Sequence, residues 1–260
     1  MARLGVDLHS VRGTGPGGRI VEADVFHGQP APAGRPREPS RRRRAVARVT
    51  ATAWAAVPHF HLRCEIDAAA LVDVRQQFLR VVKPDAVPTS LTDFLLRALA
   101  LALGDCPFAN VVWHNDRLLE LPASAVGLVV NLDDGLLVPT LADADRLDWP
   151  ALARRRAALV AAARSGRLEA VQPAATGLSN LGASCADEFT PVLVPPQSTL
   201  LAVGCLAVRP FVIDGRLCPR PTLRLTLAVD HRVLDGEPAA RFLGRVVHHL
   251  GRLAVPGAIE

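Results

Sequence analysis

The sequence predicts an α/β fold with a mixed β-sheet, and three observations carry that prediction. From Arg41 onward, helix-like and strand-like hydrophobic patterns intermix without an internal repeat. Half of the 260 residues are hydrophobic and 21% are charged, which suits one large core and not a disordered chain. No window approaches about 18 uninterrupted apolar residues, so no membrane partner is expected.

The elements follow in order. Residues 1–27 read as a short unit: a truncated first helix, the loop Gly13-Thr14-Gly15-Pro16-Gly17-Gly18-Arg19, and then Ile20 to Val25. Residues 28–40 are Pro-rich and read as an extended linker. Ser40 suits the N-cap of a helix that runs to Ala56, where Pro58 stops it. Residues 60–66 alternate apolar and polar, the signature of a half-buried strand. Asp67 opens a helix through Val82, and Thr89 or Ser90 opens a strongly apolar one over Leu91–Leu103. Strands are predicted over 111–113, 125–132 and 136–141, followed by a basic amphipathic helix over 149–164. Further strands lie near 176–179, 199–208 and 222–229, and a closing helix near 237–252. The domain organisation is therefore 1–27, linker 28–40, and one α/β domain over 41–260.

Charge and cysteine usage exclude several function classes. Much of the net charge of +5 sits in Arg35, Arg37 and Arg41 to Arg44. Aromatic residues are 4% of the chain and tyrosine is absent, so the stacking platforms of a nucleic-acid binder are missing. The five cysteines (64, 106, 185, 205 and 218) are odd in number and form no CxxC pair. Neither a disulfide framework nor a metal site is expected, and a reducing cytoplasm is the expected home. Met1 to Asp7 lacks the apolar core of a signal peptide. The glycine loop lacks both a GK[ST] ending and a preceding strand, so it does not read as a phosphate loop.

The local chemical signal is Asp230-His231-Arg232-Val233-Leu234-Asp235-Gly236, directly after the apolar run Leu223 to Val229. A histidine at the end of a strand can present its imidazole to a cleft and take a proton from an attacking thiol or hydroxyl. Asp235 could stiffen the turn. Taken by spacing alone, the same pattern is also that of a solvent-facing turn.

Other segments add context. Thr176-Gly177-Leu178-Ser179-Asn180-Leu181-Gly182 places a hydroxyl residue at a strand end. With Phe189 to Gly204, Asp134-Gly135-Leu136-Leu137-Val138-Pro139 and the run Arg43 to Arg48, the chain over about 41–253 resembles the catalytic domain of the dihydrolipoamide acyltransferases. These are core subunits of the 2-oxo acid dehydrogenase complexes and relatives of chloramphenicol acetyltransferase. The resemblance implies a chloramphenicol acetyltransferase-like two-layer sandwich with its active site at a subunit interface, and hence a homotrimer. It implies acetyl-CoA or another acyl-CoA as co-substrate, with no metal. By the same resemblance His231 matches the general base and Ser179 the donor to the tetrahedral oxyanion. Asp235 matches a structural acid that pairs with an arginine, for which Arg44 or Arg48 is the candidate. His59 reads as a packed structural histidine.

Two departures from that family shape the functional expectation. The only lysine is Lys83, inside the α/β domain, so no lipoyl-lysine is expected in this chain. Val6-Asp7-Leu8 and the glycine loop resemble the peripheral subunit-binding domain with its first helix cut short, which makes dehydrogenase-complex partners doubtful. The favoured expectation is therefore a free-standing O-acetyltransferase acting on a small-molecule hydroxyl, as in tetronate and spirotetronate biosynthesis. The alternatives are a dihydrolipoamide acyltransferase core subunit and a non-enzymatic trimeric scaffold.

Overall fold

The computed structural model describes residues 8–27, 34–122, 124–167 and 172–254. The chain divides into two compact units, Met1–Pro39 and Ser40–Glu260. In the first, a single 3-10 turn at Leu8–Ser10 precedes the glycine loop, and helix α1 (Glu22–His27) follows it. The loop is organised by the buried carboxylate of Asp24. It accepts hydrogen bonds from the N–H (2.8 Å) and hydroxyl (2.7 Å) of Thr14 and from the Val21 N–H (2.9 Å). One acid thus satisfies three donors in a loop too short to have a core of its own.

In the second unit α2 (Arg41–Ala56) starts where the sequence places it, with the Ser40 hydroxyl accepting from the Arg43 N–H at 3.0 Å. Strand β1 (His59–Asp67) and helices α3 (Ala69–Val81) and α4 (Leu91–Asp105) follow. Ser90 and Asp93 form a reciprocal capping box at the start of α4, which is buried along most of its length. Then come β2 (Val111–His114), β3 (Arg117–Glu120), β4 (Val126–Leu128), β5 (Val130–Leu132), β6 (Gly135–Leu137) and β7 (Thr140–Leu141). Helix α5 (Trp149–Ser165) is capped by Asp148, whose side chain accepts from the Ala151 N–H. The chain continues through β8 (Thr176–Asn180), β9 (Thr199–Val203), β10 (Ala207–Ile213), β11 (Arg216–Asp230) and α6 (Gly236–Leu253).

The main sheet has the order β1-β11-β9-β8-β4-β7, with β10 paired to the first half of β11. β8 runs parallel to β4 and β9 while the other pairings are antiparallel, so the sheet is mixed as the sequence predicts. Phe94, Leu99, Phe242 and Val246 from the helices pack with Leu178, Leu201 and Leu225 from the strands in the principal core. Leu193 and Val57 form a smaller cluster with Leu200 and Ala228, strand residues alternate to those of the principal core.

Several strands differ from the sequence reading: 125–132 is divided into β4 and β5, and 136–141 into β6 and β7. The single strand expected over 199–208 is two strands, and β11 starts at Arg216 and not near 222. The break in 199–208 lies at Gly204 to Leu206, and β11 starts early because it pairs with β10 through a tight hairpin turn at Asp214 and Gly215, both at positive φ (48° and 75°). A second such turn at Asn115 and Asp116 (49° and 57°) creates β3, which the sequence reading lacks. Gln197, 7% exposed, lies across Gly127 and Gly177, register partners in β4 and β8. A Cβ at either glycine would run into its amide. Among the described residues no helix is long and apolar enough to cross a membrane.

Candidate functional site

β11 ends at Asp230, and this residue and the next have opposite fates. Asp230 is 2% exposed. Its carboxylate accepts from the Arg232 N–H at 3.0 Å and from the Arg232 guanidinium at 2.7–3.3 Å. The carboxylate holds that guanidinium above its usual range, against the opposing effect of burial. Its own N–H donates to Ser198 O at 2.8 Å, and the His231 N–H donates to Pro58 O at 3.0 Å. These bonds fix the backbone on both sides of the turn.

The His231 side chain stands clear of that scaffold. It is 50% exposed, with its ring centre 4.5 Å from that of Phe60. Nδ1 lies 3.4 Å from Asp235 Oδ1, and Nε2 has no partner among the described residues. A carboxylate beside Nδ1 favours a proton there and leaves the Nε2 lone pair outward, the tautomer a base needs. Asp235 occupies the N-cap position of α6 but makes no capping bond with its side chain.

The expected pairing of Asp235 with Arg44 or Arg48 is not made within one chain. Asp235 is 84% exposed, and its Oδ1 lies 3.4 Å from His231 Nδ1. Arg44 and Arg48 lie on the exposed surface of α2, where the neighbouring Arg43 pairs with Asp134 at 3.2 Å. The buried acid–arginine clamp of the turn is Asp230–Arg232, which the sequence reading missed. Its signal was present in the same run, as an acid and an arginine flanking the histidine two positions apart.

His59 is saturated. Its Nδ1 is 2.7 Å from Val57 O, and its Nε2 accepts from the Leu193 N–H at 3.1 Å. It packs as a structural histidine, as the sequence suggests.

Ser179 is in β8, but the chain does not bring it to His231. The registers place Ser179 opposite Ala202, and Ala202 opposite Thr226, five residues short of His231 on an antiparallel strand. With about 3.3 Å per residue and about 4.8 Å between strands, the two Cα atoms are roughly 19 Å apart. Ser179 is half-buried, and strand alternation sets it on the face opposite Asn180, which donates to Thr92 Oγ1 at 3.1 Å.

Beside this end of β8 a cavity of about 590 Å³ is lined by Asn131, Asn180, Gly182, Arg75, Arg156 and Arg164, among others. Arg156 is held by buried Asp93 at 2.6 Å, whereas Arg75 and Arg164 make no ion pair among the described residues. The sequence reading did not find this cavity, because its arginines come from two helices far apart in the chain, α3 and α5.

Comparison with known proteins bears on what these parts do. Residues 34–255 match the family model for the 2-oxoacid dehydrogenases acyltransferase (catalytic domain), and residues 1–26 match that for the e3 binding domain. The dihydrolipoyllysine-residue acetyltransferase component of the pyruvate dehydrogenase complex of Zymomonas mobilis is 32% identical over 94% of this chain. The match spans 61% of that protein, so the chain corresponds to about three fifths of the length of such a relative. The solved dihydrolipoamide acetyltransferase of Azotobacter vinelandii is 30% identical, with a TM-score of 0.79 over 84% of this chain and 92% of that one. That structure was studied for the role in the catalytic mechanism of a serine, a histidine and an asparagine. The serine and histidine have the same separation in sequence as Ser179 and His231, and the asparagine stands four residues after the histidine. The cubic core of a pyruvate dehydrogenase multienzyme complex is 32% identical, with a TM-score of 0.78 over 85% and 93% of the two chains. The fold is that of these acyltransferase cores.

These relatives overturn the expectation of a tetronate-type O-acetyltransferase, since they are components of dehydrogenase complexes. The motifs around His231 and Ser179 resemble those of acyltransferases and say nothing of the acceptor, so that expectation had no residue of its own to rest on. The doubt about dehydrogenase-complex partners is corrected with it, because the N-terminal segment is recognised as an e3 binding domain despite its short first helix.

Proposed function

The chain belongs to the 2-oxoacid dehydrogenase acyltransferase catalytic-domain family, and from that premise we propose that it exchanges an acyl group between CoA and a dihydrolipoyl thiol as part of a 2-oxo acid dehydrogenase-type complex. The single observation that carries the mechanism is the orientation of His231, with Asp235 at Nδ1 and Nε2 unpartnered. Nε2 removes the proton of the acceptor thiol, and the thiolate attacks the thioester carbonyl carbon. The tetrahedral oxyanion accepts a hydrogen bond from the Ser179 hydroxyl. Collapse breaks the other C–S bond, and the departing thiolate takes the proton back from the imidazolium. No acyl-enzyme is needed, and one thioester is exchanged for another.

Ser179 serves this step from a second copy of the chain. Two groups roughly 19 Å apart in one protomer cannot touch one carbonyl, and a head-to-tail ring, such as the homotrimer the family resemblance implies, lets the His231 end of one sheet meet the Ser179 end of the next. Unpaired Arg75 and Arg164 suit the phosphates of a CoA donor at the neighbouring cavity. The 1–26 segment is the docking element for a partner enzyme of the complex.

The test is complementation. His231→Ala and Ser179→Ala chains are purified separately, dissociated and reassembled together, with S-acyl dihydrolipoamide formed from acetyl-CoA followed by chromatography. Each variant alone is expected to be nearly inactive, and the mixture to recover about a quarter of wild-type activity, the share of interfaces that pair two intact groups. Recovery of nothing from a mixture shown to contain mixed oligomers would remove the shared site. Unchanged turnover in His231→Ala would remove the catalytic reading altogether.

A further inference from the structure

A second cavity, away from His231 and Ser179, encloses about 760 Å³ between the end of α3, the segment that follows it and the start of α5. Its walls include Phe78, Val82, Val87, Leu147 and Trp149. Volumes of this size accept small organic molecules, and the pattern of apolar walls with a few polar groups is typical of such sites.

The polar groups at this cavity are unevenly committed. Arg97 enters from α4, the most buried helix of the fold, and is 9% exposed. Its guanidinium stacks on Trp149, 3.9 Å from the ring centre. Nε donates to Ala144 O at 3.1 Å, and Nη2 donates to Leu147 O. Nη1 is left without a partner among the described residues. Lys83 and Arg154 also line the cavity, and neither makes an ion pair among the described residues. The two acids present are engaged: Asp148 caps α5 by accepting from the Ala151 N–H at 2.6 Å, and Asp145 lies 3.7 Å from Arg146. Burial pushes the Arg97 guanidinium below its usual range, partly offset by Asp145, Asp148 and Asp93, so an added anion would relieve an unfavourable setting.

We propose that this cavity is a binding site for an amphipathic carboxylate, a small molecule whose apolar body lies against Trp149 and Phe78 and whose carboxylate meets Arg97 Nη1 and Lys83. A guanidinium already fixed by two backbone carbonyls and an aromatic ring offers its remaining N–H groups with little ordering left to lose. Lys83 then adds a mobile charge at an exposed position of the lining. The site is separate from acyl transfer and does not depend on the reading of that chemistry.

The probe is octanoate, with octan-1-ol and octylammonium as matched controls, titrated by calorimetry into the 260-residue chain. Saturable one-to-one binding of octanoate is expected, with both controls at least about 10-fold weaker because they lack the anion. Lys83→Glu, at an exposed position, should weaken octanoate by about 10-fold, and Val87→Trp should abolish binding by filling the cavity. Thermal melts of both variants report that the fold persists. The proposal is overturned by absence of saturable octanoate binding to the wild type, by equal binding of the alcohol or the ammonium, or by an unchanged affinity in Lys83→Glu. That last comparison decides the matter even if the tryptophan variant fails to fold.

Discussion

The two ends of the main sheet are built in different ways. At the His231 end almost every constraint is local: Asp230, Arg232 and Asp235 lie within four residues of the histidine, and Pro58 and Ser198 secure the backbone. At the Ser179 end the neighbours come from far along the chain, from Thr92, Ala202 and the arginines of α3 and α5. The first is a preformed turn that carries its histidine on a rigid mount. The second is a surface whose neighbours are gathered from several helices and strands. Under the proposed mechanism each is one half of a site shared between two copies of the chain.

Four substitutions test that division, from the largest effect to the smallest. His231→Ala should lower the rate of acyl transfer by about 10³-fold, or about 4 kcal/mol, with an unchanged melting temperature, since the exposed ring carries little packing. A comparable fall in melting temperature would mean that the histidine is structural. Ser179→Ala should cost about 10²-fold in kcat with little change in KM, as for a donor that acts in the transition state. A change confined to KM would make it a ground-state contact and weaken the contrast between the two ends.

Asp230→Asn removes the charge from the buried side of the clamp. It should destabilise the fold by about 2 kcal/mol in denaturant titration, less than for a fully buried pair because Arg232 reaches solvent. If stability holds and only activity falls, the clamp serves the histidine and not the fold. Asp235→Asn should be nearly silent, within about 3-fold in rate, because an amide oxygen can still accept from the Nδ1 proton. The asparagine at the corresponding spacing in the Azotobacter vinelandii protein supports that expectation. A loss near that of His231→Ala would show that the carboxylate charge, and not its hydrogen bond, is what the base requires.

The same contrast explains what was legible in the sequence. The His231 turn could be read because its parts are neighbours in the chain, although Asp230–Arg232 was passed over for an arginine on α2. Helices α2, α4 and α5 were legible through caps and periodicity. The β10–β11 hairpin was not, because 209–221 was read as lying between strands, which left the Asp214-Gly215 turn without strands to join. The cavities at Arg164 and at Arg97 were illegible in principle. Their charges are assembled by tertiary packing, and no spacing in the chain announces them.

The glutamine laid across β8 and β4 has a consequence for how such a chain can change over generations. Residues 127, 177 and 197 are sterically coupled. An alanine at 177 is a collision while Gln197 is in place, and a shortened side chain at 197 leaves a void over two bare glycines. Each single step is penalised, and a larger residue at 177 needs both a smaller one at 197 and a shift of the Leu200 side chain, whose Cδ1 would stand 2.9 Å from the added Cβ. Lineages that keep this sheet should therefore show the three positions either unchanged or altered together, a pattern that a family alignment can count.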